Sequence, residues 1–300
     1  MVILSIYLES AILSLLFGVL FAYSFYLPTN FFTKKLGNKF IQIGIVLLAF
    51  SIPIYEAYEL TKSFIPAISM FVVMVFLLGL IFGKFLNLRR NQIILISSGT
   101  AICGASAIAA IAPILKASPK TLLTSISLVF ILNAIALVIF PFLGHYLGFS
   151  QNFFGSWIAL AVHDTASVIG TALVFGDESV ISATTIKLSR TLWLVPLMVI
   201  LSFIYNKKAD FKLPIFVFAF IAVLFLNNYL SSNMDILPFI ALLKSIGYLS
   251  NCFLYTGLFF IGTSVDKESI FLLDNNIVFH ALLLWVIAIL LSYILVSYVL

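Results

Sequence analysis

Apolar runs of roughly 20 residues recur from one end of this chain to the other, and each is long enough to cross a lipid bilayer. Of the 300 residues, 63% are hydrophobic and 9% are charged, which leaves too little polar surface for a soluble domain of this size. The chain is therefore predicted to be an all-α polytopic membrane protein embedded in the lipid bilayer. Because the connections are short, residues 1–300 are expected to form a single integral membrane domain.

Hydropathy divides the chain into about ten hydrophobic segments, which we number one to ten. Their approximate bounds are 3–26, 41–57, 64–83, 92–115, 121–143, 152–175, 181–205, 213–230, 237–264 and 277–299. Segments two and nine carry a faint sequence echo, and they would run in opposite directions across the membrane. That arrangement is typical of a transporter with an inverted repeat.

Basic residues indicate the orientation, because loops rich in Lys and Arg stay in the cytoplasm. They cluster after segments one, three and seven, whereas acidic residues dominate most other loops. The net charge of +5 is therefore expected to set topology, and no basic stripe interleaved with aromatics suggests nucleic-acid binding. Lys116 and Lys120 return to the cytoplasmic side if segments four and six fold back within the membrane.

Residues 99–113 are almost all small, with the sequence GTAICGASAIAAIAP. Such a stretch either lets helices approach closely or lets a helix break so that its free backbone groups face a ligand. We expect broken or re-entrant helices in two places, near 99–113 and near 157–170. Packing of small residues without any ligand remains an alternative for 99–113.

Ionisable residues inside apolar segments are costly and need a reason. His163 and Asp164 lie in segment six, and Lys187 and Arg190 lie three positions apart on one helix face in segment seven. With His163 neutral this cluster has a net charge of +1, which an anion would complete. Three alternatives stay open: the two cations snorkel to headgroups, Asp164 only neutralises Arg190, or His163 is a satisfied core residue.

Several ordered motifs resemble the YeiH-type family of bacterial inner-membrane proteins, UPF0324, to which sulfate export has been ascribed. The motifs are Gly99-Thr-Ala-Ile-Cys-Gly-Ala-Ser-Ala-Ile108, Phe154-Gly-Ser-Trp157, Val162-His-Asp-Thr165, Gly176-Asp-Glu178 and Ala183-Thr-Thr-Ile-Lys-Leu-Ser-Arg190. The likeness extends over nearly the whole chain. It departs from the family pattern at Ala159 and Leu160, where Gly and Thr are expected, and at Ser189, where Thr is expected. The resemblance implies a multi-pass transporter in the bacterial plasma (inner) membrane.

Together these observations predict a secondary transporter of a small anion, sulfate or another sulfur-containing anion, coupled to H⁺ or to Na⁺. His163 and Asp164 are also the predicted coupling residues. No enzyme activity, cofactor or metal site is expected, and a homo-oligomer is compatible with the sequence. The predicted substrate-binding residues are Thr100, Cys103, Gly104, Ala105, Ser106, His163, Asp164, Thr165, Lys187 and Arg190.

Two other classes of function stay open. The chain could be a channel or an ion-sensing membrane subunit. It could also be an intramembrane hydrolase in which Ser106 and His163 form a nucleophile–base pair. The hydrolase is less favoured, because Gly104-Ala-Ser-Ala107 lacks the glycine expected after a rhomboid-type serine and no His-Glu-x-x-His motif is present.

Overall fold

The structure is a computed structural model, and it describes residues 2–7, 10–25, 32–205, 215–263 and 274–300. The described residues are helical nearly throughout and contain no strand, which confirms the predicted all-α class. The α-helices are α1 (Val2–Tyr7), α2 (Ala11–Phe25), α3 (Phe32–Leu48), α4 (Ile54–Phe85), α5 (Arg90–Ala101), α6 (Ala105–Leu115), α7 (Pro119–Tyr146), α8 (Gln151–Ala161), α9 (Thr165–Phe175), α10 (Asp177–Thr191), α11 (Leu194–Ile204), α12 (Ile215–Asn233), α13 (Ile236–Gly262) and α14 (Asn275–Val299).

Six helical stretches of the described residues are long and apolar enough to cross a bilayer. They are α4, α7, α12, α13, α14 and the stretch Asp177–Ile204, which joins α10 to α11. The expected number of about ten hydrophobic segments and the expected inverted repeat are not confirmed. The other apolar helices are shorter: Leu13–Phe25, Leu36–Ser51, Ala105–Leu115 and Thr165–Phe175.

The chain folds into two compact units, the first from Met1–Lys62 and Pro214–Val265, the second from Ser63–Leu213 and Asp266–Leu300. In the first unit α13 packs against α2 and α3. Gly18 and Gly262 allow α2 and α13 to approach closely. A Cβ atom on Gly18 would lie 2.1 Å from the carbonyl oxygen of Phe259, and one on Gly262 would lie 2.3 Å from that of Leu15. The prediction of one membrane domain over residues 1–300 stays a prediction.

In the second unit, predicted segment four is a helical hairpin. Its first arm, α5, ends at Ala101, and its second arm, α6, begins at Ala105. The amide of Asn91, at the start of α5, donates to the carbonyl oxygen of Leu115, at the end of α6, over 3.3 Å. The two outer ends therefore meet, and the tip of the hairpin is at residues 102–104.

Predicted segment six folds back in the same way. Its arms α8 and α9 are separated by residues 162–164. At the base of this second hairpin the rings of Phe154 and Phe175 stack with their centroids 3.8 Å apart, and Gln151 accepts a hydrogen bond from the backbone N–H of Glu178. The helix interruptions thus fall within both stretches for which the sequence predicts broken or re-entrant helices.

The two hairpins enter the second unit from opposite ends. Helix α7 connects them and has 28 residues, which makes it about 42 Å long. The first hairpin ends at the start of α7, and the second hairpin begins just after its end. Their tips meet near the middle, where Asn133 of α7 accepts a hydrogen bond from the backbone N–H of His163.

This arrangement resolves the position of Lys116 and Lys120. Since the first hairpin returns to its starting side, both lysines lie at the same end as Arg89 and Arg90, and one polar cleft is lined by both Arg89 and Lys120. Asp177 starts α10, which begins where the second hairpin ends, at the opposite side of the unit. The positive-inside rule makes the basic end cytoplasmic.

Gly155 provides a test of how tightly the second hairpin packs on α10. A Cβ atom at Gly155 would lie 2.4 Å from the carbonyl oxygen of Ser179, a backbone atom that cannot rotate away. We expect Gly155→Ala to lower the free energy of unfolding by about 1–3 kcal/mol, measured by thermal unfolding in detergent. Gly247→Ala in α13 is the matched control, because nothing lies within 4 Å of its added methyl group. Equal thermal stability of the two variants would contradict the close packing.

Candidate functional site

The tips of the two hairpins touch at Gly104 and Asp164. Gly104 has φ 63° and ψ −129°, a conformation that L-residues with a side chain rarely adopt. A Cβ atom on Gly104 would lie 3.1 Å from the Cβ atom of Asp164. A glycine is therefore needed both for the turn into α6 and for the contact between the tips.

Arg190 links the first arms of both hairpins. Its Nε atom donates to the carbonyl oxygen of Ala101 over 2.8 Å, and Nη2 donates to that of Thr100. Nη1 donates to the carbonyl oxygens of Ala159 and Leu160 over 2.9 and 2.7 Å. The side chain is fully buried, and its guanidinium lies 4.7 Å over the ring of Phe71.

Lys187 adds two hydrogen bonds to the second hairpin. Its Nζ atom donates to the carbonyl oxygens of Val162 and His163 over 2.7 and 2.6 Å, and the side chain is also fully buried. This burial excludes snorkelling to headgroups for both cations. No ion pair joins Asp164 to Lys187 or Arg190 in the part of the chain that the structure describes.

The chemistry of helix ends explains why these cations are there. The last carbonyl groups of a helix have no intrahelical partner and carry a partial negative charge, so a cation near them is stabilising. Arg190 and Lys187 satisfy such groups, and the indole N–H of Trp285 donates to Ala161 over 3.2 Å. Every carbonyl from residue 159 to residue 163 therefore accepts a hydrogen bond from a side chain of α10 or α14.

The second arms, α6 and α9, both begin at the hairpin tips, but their N-termini are capped differently. Asp164 caps α9, because its Oδ2 atom accepts hydrogen bonds from the backbone N–H and the hydroxyl of Ser167 over 3.2 and 3.1 Å. Gly104 has no side chain with which to cap α6. The N-cap position of α6 therefore offers no side-chain acceptor, and Ser106 in the first turn is exposed.

His163 is held by Asn133, which is not among the predicted site residues. The Oδ1 atom of Asn133 lies 3.2 Å from the backbone nitrogen of His163 and 3.3 Å from its Nδ1 atom. A backbone N–H can only donate, so this oxygen is the acceptor, and Nδ1 must then carry the proton. The Nε2 atom of a neutral His163 is left as a buried acceptor, and it has no hydrogen-bond partner among the described residues.

The predicted site residues therefore come together within one unit, but they do different things. Thr100 and Cys103 are buried, and Thr100 contributes its carbonyl oxygen to Arg190. Ala105 is half-buried, and Thr165 is buried at the start of α9. Arg190 and Lys187 bind backbone carbonyls, which differs from the predicted direct contact with the anion.

Asn133 could have been found from one signal, a carboxamide near the midpoint of a long apolar helix. Its Nδ2 atom is buried and has no partner in the described part of the chain. Within the described residues, no group of three or more His, Cys, Asp or Glu side chains is placed to hold a metal ion. The absence of a resident metal or cofactor stays a prediction.

Replacing Arg190 tests whether its role is to hold the hairpins. In Arg190→Gln, several buried carbonyls lose a charged donor, so we expect the free energy of unfolding without any ligand to fall by at least about 3 kcal/mol. Thermal unfolding in detergent measures this, with the exposed Arg89→Gln as control. An Arg190→Gln protein that is as stable as wild type, and loses only its response to anions, would assign the guanidinium to a ligand.

The ring of His163 offers a second test. We expect ¹⁵N NMR of histidine-labelled protein to show His163 with Nδ1 protonated and Nε2 unprotonated when the ring is neutral. Asn133→Leu removes the acceptor, and the signal should shift towards the Nε2-protonated tautomer. His163→Gln identifies the signal among the three histidines. A wild-type ring with its proton on Nε2 would contradict the assignment.

Comparison with known proteins identifies relatives of this chain. A family profile described as "Conserved hypothetical protein 698" matches residues 3–271. A UPF0324 membrane protein of Porphyromonas gingivalis is 40% identical over 280 residues, which is 91% of this chain and 83% of that protein. One from Bacteroides thetaiotaomicron is 37% identical over 276 residues, 91% of this chain and 82% of that protein.

A third relative, from Vibrio vulnificus, is 35% identical over 268 residues, 87% of this chain and 83% of that protein. No solved structure matches the chain. Its relatives are bacterial membrane proteins, and several of its helices can span a bilayer, so this is a multi-pass bacterial membrane protein, as predicted. The extent of the match and the identities show that the chain belongs to the YeiH-type UPF0324 family of membrane proteins.

Proposed function

We propose that this protein is a secondary transporter of a small anion, with its binding site at the hairpin tips. The observation that carries the proposal is the N-terminus of α6, where Gly104 provides no side-chain cap and Ser106 is exposed. Backbone N–H groups at such an end point outward, and the helix dipole adds partial positive charge. The N-terminus of α9 also lies at the hairpin tips.

The charges around the tips support an anion. Arg190 and Lys187 contribute +2 and Asp164 contributes −1. Two helix C-termini and two helix N-termini meet there, and each carries about half a charge, so their contributions cancel. The balance remains +1, which an anion would complete. In this proposal the cations do not contact the anion. They bind the carbonyl ends of α5 and α8, and the substrate binds at the amide end of α6.

The order of the elements supports a transporter. A hairpin followed by a long helix occurs twice, as α5–α6 with α7 and as α8–α9 with α10–α11, and the two pairs begin at opposite ends of the unit. We interpret these pairs as an inverted repeat. Many secondary transporters place their substrate at the interface of such repeats, next to broken helices.

Sulfate, or another sulfur-containing anion, is the substrate that we propose first, because the family resemblance points to it. Its oxygens suit backbone N–H groups and the hydroxyl of Ser106. His163 with its free Nε2 atom is the candidate for H⁺ coupling, and Asp164 is the candidate for Na⁺ coupling. Transport driven by a pH gradient or by a Na⁺ gradient in vesicles separates the two.

Two other functions are weaker. An intramembrane hydrolase would need Ser106 close to His163, but these side chains share no hydrogen bond among the described residues, and His163 is buried while Ser106 is exposed. A channel or sensing subunit would bind the anion without moving it uphill. Accumulation of the anion against its gradient therefore distinguishes a carrier from a channel.

Ser106 gives a direct test of the anion site. Ser106→Asp places a negative charge at the N-terminus of α6, and we expect it to abolish the rise in melting temperature that sulfate gives the wild-type protein in detergent. Ser106→Ala removes one hydroxyl and should weaken sulfate binding by about three- to tenfold, as for loss of one hydrogen bond.

Ser231→Asp is the control, because this serine is exposed near the end of α12 in the other unit. It should leave the sulfate response unchanged. A full sulfate response in Ser106→Asp would contradict a site at this helix end. If wild type shows no response to any anion in a panel that includes sulfite and thiosulfate, anion transport itself is contradicted.

A further inference from the structure

A separate groove opens at the basic end of the second unit. It has a volume of about 610 Å³ and lies between the end of α4, the start of α5 and the end of α11. Its walls are mainly aliphatic and aromatic, with Phe76, Ile93, Ile94 and Ile200 among the lining residues. This volume is within the range of roughly 300–1,000 Å³ that is typical of pockets for small ligands.

The charged residues that line the groove are all basic. Lys84 and Arg90 line it, both are exposed, and no acidic residue is among the described lining residues. The guanidinium of Arg90 lies 5.0 Å from the centre of the Tyr205 ring, so it is held over the groove wall. The groove therefore combines a long apolar wall with two cations at one end.

This end is the cytoplasmic one by the distribution of basic residues, so Lys84 and Arg90 belong at the level of the inner-leaflet headgroups. Basic pockets between membrane helices on this side bind anionic headgroups. Apolar walls suit acyl chains, and two cations suit a phosphate group. A soluble anion would match the cations but leave the apolar wall without a partner.

We infer that this groove binds an anionic phospholipid of the cytoplasmic leaflet, with the phosphate at Lys84 and Arg90 and an acyl chain along the wall formed by Ile93 and Ile200. The inference does not rest on the proposed transport function, because none of the hairpin-tip residues lines the groove. Ile93 and Ile94 belong to the first arm of the first hairpin, so a bound lipid would contact the base of that hairpin.

Lipid binding to the full-length protein by native mass spectrometry tests this. Phosphatidylglycerol and phosphatidylcholine with identical acyl chains are titrated in detergent, and wild type should prefer phosphatidylglycerol. Each cation near a headgroup is worth about fivefold in affinity, so Lys84→Gln with Arg90→Gln should reduce the preference by roughly 25-fold. Ile200→Trp, which fills the groove, should weaken binding of both lipids.

Lys116→Gln with Lys120→Gln is the matched control, because these residues lie at the same end, carry the same charge and do not line the groove. The control pair should keep the preference. An equal loss in the control pair would reveal a general surface-charge effect and overturn the inference, as would equal affinity for the two lipids in wild type. Displacement of the lipid by inorganic phosphate at equal concentration would indicate a small-anion site instead, and a dimer lost in Ile200→Trp would assign the groove to a second copy of the chain.

Discussion

The second unit depends on the hydrogen bonds between the Arg190 guanidinium and the carbonyl ends of α5 and α8. Two helices that stop in the middle of an apolar unit leave carbonyl groups that lipid cannot satisfy. Arg190 satisfies four of them with bonds to Thr100, Ala101, Ala159 and Leu160. The broken helices and the buried cation therefore require each other, since either one alone would be costly.

The bonds from Arg190 give the C-terminal and N-terminal helix ends at the hairpin tips different environments. The carbonyl ends are neutralised from α10, and the amide end of α6 is left free. Charge and backbone geometry thus both support the proposed site for an anion at Gly104 and Ser106. Asp164 completes the arrangement, because it caps the neighbouring α9 and so prevents a second uncapped amide end.

Much of this could be predicted from the sequence, and the rest could not for a physical reason. The small residues of 99–113 indicated a helix that turns back within the membrane. Lys116 indicated the same, because it would lie on the external side if segment four spanned the membrane. The cluster of His163, Asp164, Lys187 and Arg190 was recognisable because ionisable residues are rare in apolar segments. The partners of Arg190 were not recognisable from the sequence. They are backbone carbonyls up to 90 residues away, and any residue can provide a carbonyl. Asn133 was missed because a single uncharged amide in an apolar helix is a weaker signal than a charged residue there.

The bonds from α10 also have a mechanical consequence. The Arg190 side chain of α10 bonds to the first arm of each hairpin, so neither hairpin can withdraw without breaking hydrogen bonds to a buried charge. The two tips and α10 are thus expected to travel as one rigid body. If the proposed anion site at Ser106 opens alternately to the two sides of the membrane, these bonds favour displacement of this body as a whole over withdrawal of one hairpin.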